Sequence, residues 1–261
     1  MTLAHNISPA TDSFARRFGS LGRLIGDDAL ARLRGARVTV VGIGGVGSWT
    51  VEALARSGVG ALTLIDMDHV AESNINRQVL ALEATLGAAK AQVMADRVAQ
   101  ISPACRVDIV DDFVTAENAA VLLPDEGVIV DAIDQPRAKA AMIAVCRARG
   151  QPLVVCGGAG AVGSPLGLKR GDLALATGDA LLASVRARLR REHGFTRKAG
   201  ERFGVTALYF DVQRAQALAC EADAGAPLAC SGYGSIVTVT ATLGMAAAGV
   251  AIEWSGREPR V

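Results

Sequence analysis

The segment Arg37-Val-Thr-Val-Val-Gly-Ile-Gly-Gly-Val-Gly-Ser48 constrains this chain more than any other. Arg37 to Val41 is a short β-branched run of the kind that forms a buried strand. Gly42, Gly44 and Gly47 follow in the spacing G-x-G-x-x-G, and Val46 to Ser57 has a helical pattern with Val46, Val51 and Leu54 on one side. Strand, glycine turn and helix in that order build the phosphate cradle of a doubly wound α/β domain. The glycines let backbone close on a phosphate, and the helix N-terminus offers free N–H donors and a partial positive charge. They leave open whether the ligand is a dinucleotide or ATP; the plainer alternative is a turn with no ligand.

Downstream the pattern repeats. Strands are expected at Ala61–Ile65, Arg106–Val110, Val128–Asp131 and Leu153–Cys156, with helices at Gly87–Ile101, Ala116–Leu123 and Pro136–Arg149 between them. That alternation predicts βαβ units, hence a Rossmann-like, mostly parallel sheet with helices on both faces. Ahead of it, Met1 to Ser13 is polar and patternless, a disordered start by expectation, and Phe14 to Arg34 reads as one or two helices. After the glycine-rich break Gly157–Gly163 the style changes. Leu166–Arg170 is expected as an antiparallel strand, Ala180–His193 as a basic helix, Thr196–Arg202 as a polar loop, Val205–Phe210 as a strand and Ala219–Ser231 as a mobile loop. We read residues 1–261 as one domain: a nucleotide-binding core over 14–163 and an antiparallel C-terminal elaboration over 164–261.

Composition supports a large core with small side chains. Hydrophobic residues make up 51% of the chain, charged ones 20% and aromatics only 4%, which suits a tightly packed parallel sheet. A net charge of +1 excludes bulk attraction to a polyanion but leaves room for a local basic patch. The five cysteines are odd in number and form no C-x-x-C pair. This argues against a disulfide framework and a four-cysteine zinc site, and for a reducing compartment. The N-terminus lacks a secretory pattern, so a cytoplasmic location is expected. Ser235 to Ile252 carries no charge and reaches the length of a membrane span. Its hydroxyls (Ser235, Thr238, Thr240, Thr242) and small residues make it a poor one. We expect the buried last helix of the domain, with membrane association as the alternative.

Which ligand the turn holds depends on its company. Asp66 closes the second strand about 20 residues past the glycines, where a carboxylate meets ribose hydroxyls. Asn74, Arg77, Lys90 and Asp134 fall at or just beyond C-terminal strand ends, the side on which such sheets bind ligands. Arg and Lys can neutralise a triphosphate and Asp134 can hold Mg2+. Attack at an α-phosphate needs that set, because negative charge builds on the phosphoryl oxygens; hydride transfer does not. Each residue has a plainer role: Asp66 as a loop cap, Arg77, Lys90 and Arg23 as surface charges, Asp134 as the N-cap of the helix beginning near Pro136.

In order and spacing, Gly42-x-Gly44-Gly45-x-Gly47, Asp66-x-Asp68, Asn74-x-x-Arg77-Gln78, Lys90 and Asp131-x-x-Asp134 resemble the ubiquitin-activating-like, ThiF-type adenylating superfamily. The resemblance implies that Asp66 and Asn74 hold the nucleoside end of ATP. It implies that Arg77 and Lys90 contact the phosphates and that Asp134 serves magnesium. It also implies that Arg23 reaches the ATP of a partner subunit, hence a homodimer. A structural Na+ or K+ belongs to the family's pattern but falls on no residue here. The wider run, from Arg17-Phe-Gly19 through Leu64-Ile-Asp-Met-Asp68, Val110–Thr115, Gly157–Gly160, Cys230–Gly234 and Val237–Thr242, is similar to the branch that dehydrates N6-threonylcarbamoyladenosine in tRNA. The absence of paired C-x-x-C motifs separates it from relatives that activate sulfur carriers.

The implied partner is tRNA, with its backbone on the Ala180–His193 helix and Arg197-Lys198; sulfur-transfer proteins are a further partner class. Where relatives often carry a cysteine, this chain has Ala207, so no thioester nucleophile is expected there. Cys230 is the remaining candidate for a reactive thiol. The competing readings are an adenylating enzyme for a small sulfur-carrier or ubiquitin-like protein, a nicotinamide-linked oxidoreductase, and a non-catalytic nucleotide-binding scaffold.

Overall fold

The structure is a computed structural model that describes residues 9–212 and 234–258. Seven strands form one sheet: β1 (Arg37–Val41), β2 (Ala61–Ile65), β3 (Arg106–Val110), β4 (Val128–Asp131), β5 (Leu153–Cys156), β6 (Leu168–Asp172) and β7 (Thr206–Phe210). Their spatial order is β3-β2-β1-β4-β5-β7-β6. All neighbours are parallel except β6, which runs antiparallel to β7. β4 and β5 are buried along their whole length, which is why they read as unbroken apolar runs. β7 joins the parallel set beside β5, and β6 supplies the expected antiparallel edge.

Eight helices surround the sheet among the described residues: α1 (Pro9–Ile25), α2 (Asp27–Gly35), α3 (Gly47–Arg56), α4 (Lys90–Ile101), α5 (Ala119–Leu122), α6 (Pro136–Arg149), α7 (Ala180–Glu192) and α8 (Val237–Ser255). One apolar cluster joins α3, α4 and α8 to one face of the sheet; the other joins α5, α6 and α7 to the opposite face. The uncharged C-terminal segment is α8, which packs on α3 and on β4, β5 and β7. Val239, Leu243, Ala247 and Ala251 are fully buried there, while Val237 and Met245 of the same helix are exposed. α8 also has the length and hydropathy of a membrane-crossing helix.

β6 lies two residues later than the expected Leu166–Arg170, because Pro165–Gly167 is a single 3-10 turn, and three helix starts also differ from expectation. The start is not patternless throughout, because α1 begins at Pro9; proline suits the first turn of a helix, and Phe18 is buried with Phe14 stacked on it at 4.9 Å. The helix carrying Lys90 begins at Lys90 and not at Gly87. Gly87 has φ 78°, and His69 and Ala89 form an antiparallel bridge, so the backbone is committed elsewhere until residue 90. The short helix begins at Ala119 because Thr115 and Asn118 cap each other: Asn118 Oδ1 accepts from Thr115 N at 2.7 Å and Thr115 Oγ1 from Asn118 N at 3.3 Å. The expected loop Ala219–Ser231, with Cys220 and Cys230, lies outside the described residues.

Candidate nucleotide site

β1 and β4 are adjacent, yet the chain leaves β1 toward β2 and β3 on one side and returns to β4 on the other. Such a reversal opens a crevice at the C-terminal strand ends. The glycine turn enters it from β1, and residues 132–134 enter it from β4. The two loops touch: Ala132 N donates to Val41 O at 2.9 Å. A Cβ built on Gly42, whose φ is 86°, would fall 2.8 Å from Ile133 Cγ2. A Cβ on Gly47 would collide with the Gly42 carbonyl. Side chains at these positions would push the turn open, so the glycines are required by close approach.

Asp66, at the end of β2, ties the turn down. Its Oδ2 accepts from Ile43 N at 2.6 Å and its Oδ1 from Asp68 N at 2.7 Å. The loop-capping role is therefore real, and the remaining lone pairs are what a ribose would use. Burial pushes the Asp66 carboxyl up; the two backbone donors and the Lys90 charge pull it back without cancelling the rise.

Lys90 is 6% exposed at the first position of α4, so it is not a surface charge. Its Nζ donates to Asp68 Oδ2 at 2.7 Å, and the Asp68 side chain is 53% exposed. Asn74 and Gln78 are buried. Asn74 Oδ1 accepts from Ala71 N at 3.1 Å, shaping the turn that leads to Arg77, while Gln78 Oε1 is buried with no partner.

Arg77 is half-buried and folded back: its Nη1 donates to Ser73 O at 2.5 Å and to Asn76 Oδ1 at 3.1 Å. Its Cγ lies 3.5 Å from a Cβ placed on Gly45. The glycine turn, Asp66, Lys90, Arg77 and the loop after β4 thus converge.

Asp134 is exposed. It does not cap α6, whose N-cap is Gln135 with no side-chain hydrogen bond. Among the described residues its carboxylate has no partner, because α6 begins with Pro136 one residue too late for it. Arg23, in the last turn of α1, is exposed and also unpartnered among the described residues.

Several side chains hold these elements together through contacts that the sequence did not indicate. Asp131 and Lys139 form an ion pair at 2.6 Å with both side chains fully buried; burial pushes the Asp131 carboxyl up and Lys139 pulls it back. Glu52 in α3 joins Arg97 in α4 at 2.5 Å and Arg56 at 2.7 Å. Asp179 caps α7 through Leu182 N at 2.9 Å and also accepts from Gly158 N at 2.9 Å, pinning the loop after β5. Trp49 and Thr240 both donate to the Arg77 carbonyl. Ala207 is a buried strand residue in β7. Burial raises the Cys105 thiol to about 11 and those of Cys146 and Cys156 to about 12, so none of these three is a ready nucleophile.

On α7 the arginines are largely engaged. Arg188 and Arg191 both pair with Glu192, and Arg190 donates to Thr196 O at 3.2 Å. Arg197 and Lys198 in the following loop are exposed.

The chain is similar to the tRNA threonylcarbamoyladenosine dehydratase of Escherichia coli, 44% identical over 93% of this chain and 94% of that protein. It is 42% identical to the Haemophilus influenzae protein of the same name over 89% and 90% of the two chains. A crystal structure of the Escherichia coli enzyme in complex with ATP superposes with a TM-score of 0.84 at 42% identity, covering 94% of this chain and 95% of that one. The ThiF family model matches residues 19–259. With its glycine turn, its sheet order and this match over nearly its whole length, the chain belongs to the ThiF family.

Proposed function

We propose that this protein is an ATP-dependent tRNA-modifying enzyme that dehydrates N6-threonylcarbamoyladenosine. The threonyl carboxylate attacks the α-phosphorus of ATP; the bond to the bridging oxygen breaks and pyrophosphate leaves with that electron pair. The acyl-adenylate is an activated carbonyl. The neighbouring carbamoyl group attacks it, its N–H proton passes to solvent, AMP leaves, and a cyclic hydantoin-type or oxazolone product remains. The net change is loss of one water.

In this reading the glycine turn and the N-terminus of α3 cradle the phosphates. Asp66 and Asn74 hold the nucleoside, and Gln78 Oε1 accepts a donor from the same ligand. Lys90 and Arg77 meet the negative charge that builds on the phosphoryl oxygens. Asp68 holds Lys90 in place until phosphate arrives. Asp134, free and exposed beside the glycine turn, is the chemically suitable group for Mg2+, which when bound neutralises phosphate charge. Among the described residues no cluster of three or more His, Cys, Asp or Glu side chains could hold a metal, so the magnesium site rests on Asp134 and the nucleotide's own oxygens. Arg23 extends toward the ATP of a second copy in a homodimer. Arg197 and Lys198 face the tRNA backbone. Residues 1–261 act as one adenylating domain, in the cytoplasm where tRNA is found.

One observation carries the reading: a buried lysine is held by an aspartate at the strand end whose neighbour Asp66 ties down the glycine turn. The surrounding chain is similar from end to end to an enzyme crystallised with ATP. The test is pyrophosphate release with three substrates: tRNA bearing threonylcarbamoyladenosine, unmodified tRNA, and a small sulfur-carrier protein. Release with the modified tRNA alone supports the proposal. Release with the carrier alone replaces it with carrier activation, and preference for NAD over Mg·ATP removes adenylation altogether.

A further inference from the structure

Arg77 is a proposed phosphate ligand whose side chain is carried by a loop, whereas Lys90 stands at the start of a helix. Loop backbone is held by whatever its carbonyls and amides meet. The Arg77 carbonyl meets two side-chain donors from distant parts of the chain. Trp49 Nε1, in the first turn of α3, donates to it at 3.1 Å. Thr240 Oγ1, in the first turn of α8, has this carbonyl as its nearest acceptor at 3.1 Å, ahead of Val237 O at 3.3 Å and Ile236 O at 3.5 Å in its own helix. Next to it, Asn76 Nδ2 donates to Ser235 O at 2.9 Å.

These donors are themselves held. Gly244 lets α8 lie against α3 so closely that a Cβ there would strike the Val46 carbonyl and stand 2.8 Å from Trp49 Cβ. Thr50 Oγ1 sits 3.1 Å from both Val46 O and Gly244 O, so its one proton is shared between the two helices at their contact. Thr240 is 3% exposed, and its Cγ2 lies 3.1 Å from a Cβ placed on Gly45. One side of the glycine turn, the Arg77 loop and the start of α8 therefore meet at a single threonine. Its hydroxyl bonds the loop while its methyl backs the turn.

We propose that Thr240 and Trp49 are positioning residues for adenylation: together they fix the Arg77 backbone so that its guanidinium can swing from Ser73 and Asn76 to the phosphates without the loop moving. The proposal rests on the reading that Arg77 meets the triphosphate. In both residues the polar atom matters more than the bulk. Thr240→Val keeps shape and removes the donor; Thr240→Ser keeps the donor; Trp49→Phe removes the other donor.

The experiment is a kinetic double-mutant cycle on the full-length protein. Single-turnover pyrophosphate release from ATP with modified tRNA is measured for wild type, Thr240→Val, Thr240→Ser, Trp49→Phe, Arg77→Ala and Thr240→Val with Arg77→Ala, alongside thermal midpoints. A hydrogen bond of ordinary strength corresponds to roughly two- to tenfold in rate. Thr240→Val and Trp49→Phe are expected to slow release at saturating ATP by that factor, with KM for ATP changed less than twofold. Thr240→Ser is expected to recover most of the loss. On the Arg77→Ala background Thr240→Val is expected to cost nothing more, because a residue acting through Arg77 has nothing left to position.

Additive losses in the double variant, or a Thr240→Ser rate as low as that of Thr240→Val, overturn the positioning role. So does a full rate in both single donor deletions while Arg77→Ala is slow. An unchanged rate in Arg77→Ala overturns the phosphate role of Arg77 and the proposal with it, and is distinguishable from the other failures by that variant alone.

Discussion

Two lysine–aspartate pairs stand near the C-terminal edge of the sheet, and they are built for opposite ends. Lys139 and Asp131 are both fully buried and bond each other at 2.6 Å. Lys90 and Asp68 bond at 2.7 Å, but the lysine is buried and the aspartate is half in water. The first pair is closed: Asp131 Oδ1 has only Ile133 N besides, at 3.3 Å, and Lys139 Nζ only the Asp131 carbonyl at 3.4 Å, so each charge loses its one counter-ion without the other. The second is open on one side, so Asp68 can fall back on water if Lys90 turns to a phosphate. A buried cation whose partner can be released is suited to chemistry, and one whose partner cannot is suited to holding β4 against α6.

Exchange of one lysine at a time sharpens the contrast. Lys139→Met leaves Asp131 buried and uncompensated and is expected to cost about 3–5 kcal/mol of stability, read from urea unfolding. Loss of less than about 1 kcal/mol would mean that Asp131 finds another partner or is already protonated in the folded protein.

Next in size are the proposed phosphate groups. Lys90→Ala and Arg77→Ala are each expected to lower the rate of activation at least tenfold, about 1.4 kcal/mol of transition-state stabilisation. Lys90→Met keeps the apolar stem and leaves Asp68 to water, so its cost to stability should stay below about 1 kcal/mol. A Lys90→Met protein as unstable as Lys139→Met would erase the distinction between the pairs.

Glu52 offers a third, intermediate case: a buried carboxylate shared by two arginines that remain partly in water. Burial pushes its carboxyl up, but Arg97 and Arg56 together outweigh this and leave it below 4.5. Its contribution to stability is therefore present above pH 4.5 and is lost as pH falls through the lowered folded value. Glu52→Gln should cost about 1 kcal/mol at neutral pH and flatten the acid side of the stability profile. A profile unchanged by the substitution would show that Glu52 does not titrate differently on folding.

The smallest effect belongs to the surface. Replacing Arg197 and Lys198 together with Ala should reduce the slope of log tRNA affinity against log salt by about 2. No change in slope would move the tRNA contact elsewhere.

Much of this molecule was legible in its residues. β1, β4 and β5 announced themselves because a strand covered on both faces is a continuous apolar run, β3 only by its place in the strand–helix alternation, since it is largely exposed, and the glycine turn because only glycine tolerates its contacts. Lys90, Asp66 and Arg77 were legible as a set because their spacing follows the strand ends. What could not be read are bonds that join remote parts of the chain through a backbone carbonyl. Trp49 and Thr240 meet at Arg77, and a carbonyl leaves no mark on sequence. Lys139 was hidden for a related reason: a lysine among alanines looks like a solvated face, and only the register of β4 against α6 puts Asp131 beside it. Asp134 as a helix cap was ruled out by a single residue of phase, which no pattern resolves.

The central claim is that this crevice removes water from a tRNA nucleoside at the expense of ATP. The most direct measurement is the mass of nucleosides recovered, under mild conditions, from tRNA bearing threonylcarbamoyladenosine after incubation with the purified protein, ATP and Mg2+. The account predicts that the threonylcarbamoyladenosine peak is replaced by one lighter by a single water, only when ATP is present and not with the Lys90→Ala protein. A nucleoside of unchanged mass, with ATP bound but not consumed, would contradict it.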